Sequence, residues 1–110
     1  METRGARKGE NEARFRLVNE GVTKTDAILT PLAPQLEVFC ECSRPECTTL
    51  ITLSRGEYER VREVSTHFIV EHGHVDPGVE TVVEERADYL VVRKREGDAA
   101  DVARATDPRR

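Results

Sequence analysis

The sequence predicts an α+β domain: a small, mainly antiparallel sheet with flanking helices. Three observations carry this expectation. Period-two alternation and β-branched runs recur at 36–42, 48–53, 68–70 and 80–95, separated by turns and not by the long crossovers that parallel strands need. Helical patterns flank these runs at 10–21, 54–64 and 98–107. All three cysteines of the 110-residue chain fall within eight positions of "VFCECSRPEC", as C-x-C-x4-C.

The elements follow in order. Residues 1–9, "METRGARKG", are polar with two glycines and are expected to form a disordered tail. Residues 10–29 form an N-terminal helical segment, with Phe15, Val18 and Val22 recurring at helical spacing beside Leu17. Gly21 stands where this helix would stop or fray. Its narrow apolar stripe suits docking on the body of the domain, a second copy, or a partner protein. Residues 30–35, "TPLAPQ", hold two prolines and read as a linker. Residues 36–110 then form the domain proper.

"LEVFCEC" alternates Leu36, Val38, Cys40 and Cys42 against Glu37, Phe39 and Glu41, which is a strand pattern placing both cysteines on one side. Pro45 breaks the strand, and "TTLITL" supplies a second, so the cysteines are expected at the tip of a hairpin. Ser54 and Glu57 make the S-x-x-E capping box of a helix whose Tyr58 and Val61 face inward. A short strand runs through Phe68 and Val70. "GHVDPG" is a loop, and 80–86 pairs with 89–95 as a hairpin. The apolar "YLVV" places the last strand at the centre of the sheet. Asp98 is expected as N-cap of a final helix that ends before Pro108.

Composition narrows the function. Hydrophobic residues are 37% and charged residues 35%, and there is no Trp, so the core is thin and suits a staple such as a metal or an oligomer partner. The net charge of −4 argues against a nucleic-acid binder. No apolar run reaches the about 18 residues that a membrane helix needs. The N-terminus lacks the apolar core of a secretory signal. The expected location is therefore the cytoplasm, where thiols stay reduced and a cysteine cluster suits metal binding or reactivity.

Zinc is the first candidate for the cysteines, because it takes four thiolate or imidazole ligands in a tetrahedron. The hairpin is then zinc-knuckle-like, with Cys40, Cys42 and Cys47 as three corners. His74, beside Gly73 in a loop, is favoured as the fourth ligand, with His72 as the alternative; His67 lies inside a strand. Such a Cys3His site carries a charge of about −1 by ligand count, which Arg44 in the knuckle would offset. The competing readings are free or redox-active thiols and a disulfide; a Cys40–Cys42 bridge would close a strained ring.

The stretches "FCECSRPECTTLITLSRGEYERVR", "FIVEHGHVDPGVETVVEERADYLVVRK" and "ATDPR" together resemble a family of small, largely uncharacterised actinobacterial proteins. That family runs F-x-C-E-C-x4-C, E-Y-x-x-V-R, G-H-x-x-P and Y-x-V-V-x-K, and ends near D-P-R. An N-E-x-x-F-R-x-x-N-E helix often precedes, here "NEARFRLVNE". The resemblance covers roughly 11–109 and implies that Cys40, Cys42, Cys47 and His74 act as one group. It implies no particular activity. The chain departs from it at 21–36, where relatives are expected to carry a longer regular helix.

There is no Gly-rich phosphate loop, G-x-S-x-G or H-E-x-x-H motif. The acidic pairs Glu57/Glu59 and Glu84/Glu85 read as solvated faces. Three functions compete: a structural zinc protein acting by protein–protein contact or regulation, a thiol/zinc redox sensor, and a small metalloenzyme.

Overall fold

The computed structural model describes residues 3–109. Eight elements follow one another: α1 (Arg4–Leu29), β1 (Leu36–Phe39), β2 (Leu50–Leu53), α2 (Arg55–Arg62), β3 (His67–Val70), β4 (Glu80–Glu85), β5 (Leu90–Lys94) and α3 (Asp98–Ala105). The α+β class and the antiparallel pairing are as the sequence predicts. The strands form two small sheets, one of β1 and β2 and one in the order β3-β5-β4. Leu36 pairs with Leu53 and Phe39 with Leu50 in the first; Val70 pairs with Leu90 in the second. The central place of β5 is the place its two-sided apolar run implies.

The sheets meet where the chain leaves β1. The Cys40 N–H donates to the Thr49 carbonyl at 2.9 Å, still within the hairpin, and the next N–H, of Glu41, donates to Ile69 of β3 at 2.7 Å. Val38, Ile51, Leu53, Tyr58, Phe68, Ile69, Val70 and Val92 fill the shared core. The predicted capping box holds α2: Ser54 Oγ accepts from the Glu57 N–H, and the Glu57 carboxylate accepts from the Ser54 N–H. Tyr58 and Val61 are buried beneath it.

The first helix differs from expectation in length. Residues 4–9, expected within a disordered tail, are its first turns, capped by the Thr3 hydroxyl accepting from Ala6 N–H; residues 1–2 of that tail lie outside the described residues. Nor does Gly21 end the helix, which runs to Leu29. A glycine in a helix interior costs only about 1 kcal/mol, which tertiary contacts on both sides override.

Its docked face also differs. The face against the body is polar: Glu12, Arg16, Asn19, Glu20 and Thr23 are buried, while in the apolar stripe Phe15 and Val22 are half-buried and Val18 is 46% exposed, with Leu17 beside it 61% exposed. Thr23 Oγ donates to the Glu20 carbonyl of its own helix, and the other four find partners on distant elements. Asn19 Nδ2 donates to the Phe39 carbonyl and Asn19 Oδ1 accepts from the Phe39 N–H, both at 2.8 Å, so one side chain serves as an extra strand neighbour for β1. Arg16 donates to the Ser65 and Ala103 carbonyls and lies 4.5 Å over the Phe68 ring. Arg62 joins Glu20 at 2.9 Å and Asp107 at 2.6 Å, and Arg109 closes on Glu20 from the far end of the chain. Lys94 sits between Glu12 and Glu80, all three fully buried.

Small residues let α1 approach α3. A Cβ on Gly9 would lie 3.1 Å from the Val102 Cβ and 3.2 Å from Ala99 backbone atoms. The N-cap of α3 is Gly97, at φ 139°, and not the expected Asp98, whose carboxylate accepts from Thr3 Oγ at 2.6 Å and so ties the start of α1 to the start of α3.

Two outcomes follow from the polar docking. Asn19→Ala leaves the Phe39 amide and carbonyl without their side-chain partners and should cost about 2 kcal/mol or more, while Val18→Ala in dilute solution should stay within about 0.5 kcal/mol; urea unfolding measures both. Burial opposes the charge of Glu20, but hydrogen bonds from Arg109 and Arg62 outweigh it and hold its carboxyl below the usual range. A depressed carboxyl stabilises the fold above the unfolded value of about 4.3 and loses that contribution as pH falls through the folded one. The drop in urea midpoint between pH 6 and 3 should therefore be smaller in Glu20→Gln than in the parent chain.

Candidate metal centre

The hairpin and one loop bring four side chains together. Cys40 follows directly on β1, and Cys42 lies two residues on; both are buried. The chain then turns through Ser43–Glu46, closed by the Cys47 N–H donating to the Arg44 carbonyl at 3.1 Å, and presents the half-buried Cys47. Asn11 of α1 donates to the Ser43 carbonyl and Ser43 Oγ donates to Asp76, so the turn is anchored on both sides. His74 arrives from the loop after β3. Gly73 adopts φ 84°, a conformation that favours glycine, and His74 N–H closes the turn on the Glu71 carbonyl at 3.0 Å.

His74 Nδ1 lies 3.5 Å from Cys40 Sγ and 3.7 Å from Cys47 Sγ. The ligand atoms of Cys40, Cys42, Cys47 and His74 all fall within 4.8 Å of one another. A tetrahedral zinc with bonds of about 2.3 Å to sulfur and about 2.0–2.1 Å to nitrogen holds sulfur and nitrogen about 3.6 Å apart. The two separations thus match the edges of a zinc tetrahedron. The four donors form a Cys3His group able to hold a metal ion.

The other two histidines stand apart. His72 is exposed and its Nε2 lies 2.8 Å from the Arg86 carbonyl. His67 is in β3, where burial and then the Arg93 charge lower its basicity.

The electrostatics suit a cation. The Cys42 thiol is pulled down to about 5, first by its hydrogen bond with Cys40, against burial, with help from the Arg44 backbone, Cys47 and His74. Cys40 is driven up by that same shared proton and by burial. Its sulfur also accepts from the Glu71 N–H at 3.3 Å, the sort of outer contact that orients a thiolate ligand. Arg44, expected to offset the charge with its guanidinium, is exposed; it is its backbone that supports Cys42.

Glu41 escaped the sequence reading. Strand alternation places it outward with Glu37, yet it is fully buried. The strand ends at Phe39, so alternation no longer governs residue 41. Its Oε2 accepts from Asn19 Nδ2 at 2.8 Å and from the Tyr58 hydroxyl at 2.7 Å, and its Oε1 from the Ile69 N–H at 3.1 Å. Burial raises its carboxyl, and these three donors oppose the rise. The only signal in the sequence was its place between two cysteines.

The acidic pairs have structural partners: Glu57 caps α2 and accepts from Tyr89, Glu59 meets Arg109, and Glu84 meets Arg60 and Arg86. None of the protein-family models, curated proteins or solved structures compared with the chain matches it. No helix among the described residues is long and apolar enough to cross a membrane.

Removing the Tyr58 hydroxyl tests the buried carboxylate. Tyr58→Phe should cost about 1.5–3 kcal/mol in urea unfolding, the value of a hydrogen bond to a charged group.

Proposed function

We propose that the chain is a small zinc-binding protein whose Cys40, Cys42, Cys47 and His74 hold one structural zinc ion, and that it acts through contact with another protein chain as an interaction or regulatory module. The observation that carries the metal reading is the pair of sulfur–nitrogen separations at tetrahedral spacing. Four protein donors complete the coordination of a structural site, whereas a catalytic zinc keeps one position for water or substrate. Three free thiols within eight residues suit a reducing compartment such as the cytoplasm. The zinc would hold the knuckle and the His74 loop against each other, a staple for a thin core.

One observation favours a second reading, a thiol/zinc redox sensor. Cys47 is half-buried while Cys40 and Cys42 are buried, so an oxidant meets one ligand first.

Native mass spectrometry of the purified chain tests the site. One zinc per chain is expected, lost on chelation together with a fall in melting temperature. Cys40→Ser, Cys42→Ser, Cys47→Ser and His74→Ala should each abolish stoichiometric zinc, and His72→Ala should retain it. A metal-free chain with a full cooperative melt would contradict a structural zinc. Because thiolate and imidazole bind zinc only when deprotonated, acid should release the ion and loosen the fold together.

A further inference from the structure

Helix α1 turns a polar face to its own domain and leaves an apolar one outside. At 3.6 residues per turn, Val18, Gly21, Thr25, Ile28 and Leu29 lie opposite the buried Arg16, Asn19, Glu20 and Thr23. These five are uncharged, with Arg14 beyond their N-terminal end and Lys24 along one edge. Ile28 and Leu29 are 78% and 72% exposed, and Leu32 in the turn beyond is 94% exposed. A Cβ on Gly21 would have nothing within 4 Å, and Gly21, Val22, Thr25 and Leu29, with Asp26 and Thr30 at one side, line an open groove of about 500 Å³.

We infer that this face is the interface for a second copy of the chain, packed antiparallel about a two-fold axis at Thr25. That axis sets Ile28 of one copy against Val22 of the other, Leu29 over Gly21, and Leu32 near Val18. Leu29 meets the bare helix surface at Gly21 while Ile28 and Leu32 meet valines, so one patch supplies both knob and groove, as an isologous interface requires. Val18, Ile28, Leu29 and Leu32 alone expose on the order of 500 Å², somewhat under two thirds of the about 800 Å² per partner of a standard interface. An exposed apolar patch of several hundred Å² is often functional. This inference deepens the interaction half of the proposed function and does not depend on the metal half.

Sedimentation of the full chain, with zinc content measured on the same sample, tests it. The expected result is a concentration-dependent shift from the 12.4 kDa chain mass to twice that value. Ile28→Glu should remain monomeric, with an unchanged melt at dilutions where the parent is also monomeric, because the side chain touches little of its own domain. Gly21→Lys should also remain monomeric by filling the groove, with a melt raised by the loss of the helix-interior glycine. A chain that stays monomeric throughout overturns the inference, as does a dimer that survives both substitutions. A metal-free dimer would sink the zinc reading and leave this one standing; a zinc-loaded monomer would do the reverse.

Discussion

The Glu41 carboxylate is the contact on which the structure converges. It lies between two site cysteines, is fully buried, and takes its hydrogen bonds from α1, α2 and β3. A buried carboxylate without partners is among the costliest groups a protein can contain. The three donors must therefore be in place together, which makes the docking of α1, the seating of α2 and the joining of the two sheets parts of one event. The backbone of the same residue bridges to Ile69. Cys40 and Cys42, on either side, are positioned by that event before any ion is considered.

The polar docking of α1 follows the same logic. Asn19 must meet one backbone unit, Arg16 two carbonyls, and Lys94 two carboxylates, so sliding the helix by one turn would strand several buried groups at once. Apolar contacts would tolerate such a slip far better. Burial works against charge in this cluster, pushing the Glu80 carboxyl up to about 7 and the Lys94 amine down to about 7. With its polar side committed to the body, the helix is left with its apolar side outward.

The parts legible in the sequence are those determined by near neighbours. Ser54 and Glu57, three residues apart, cap α2; the alternation of 36–42 and the β-branched 48–53 specify a hairpin; the glycine before His74 marks a loop able to turn back. The spacing put three cysteines together and favoured His74 beside them while leaving His72 open, and the structure brings Cys40, Cys42, Cys47 and His74 within 4.8 Å of one another. What the sequence hid depends on distant partners. Lys94 meets Glu12 across 82 residues and Arg109 meets Glu20 across 89, so a helix whose inward face is charged reads as solvated on that face. The apolar stripe of Phe15, Val18 and Val22 then looks like the buried one. Glu41 was hidden by a strand pattern that ends two residues too early to apply to it.

If Glu41 couples the cysteine cluster to α1, the helix should respond when the cluster loses its ion. The most direct measurement is amide hydrogen exchange across residues 12–23 of zinc-loaded chain before and after chelation. A helix released from its body is only marginally stable in water, so protection there should fall together with protection in the 38–47 hairpin. Protection of 12–23 that stays at its full value while the hairpin exchanges freely would contradict the coupling.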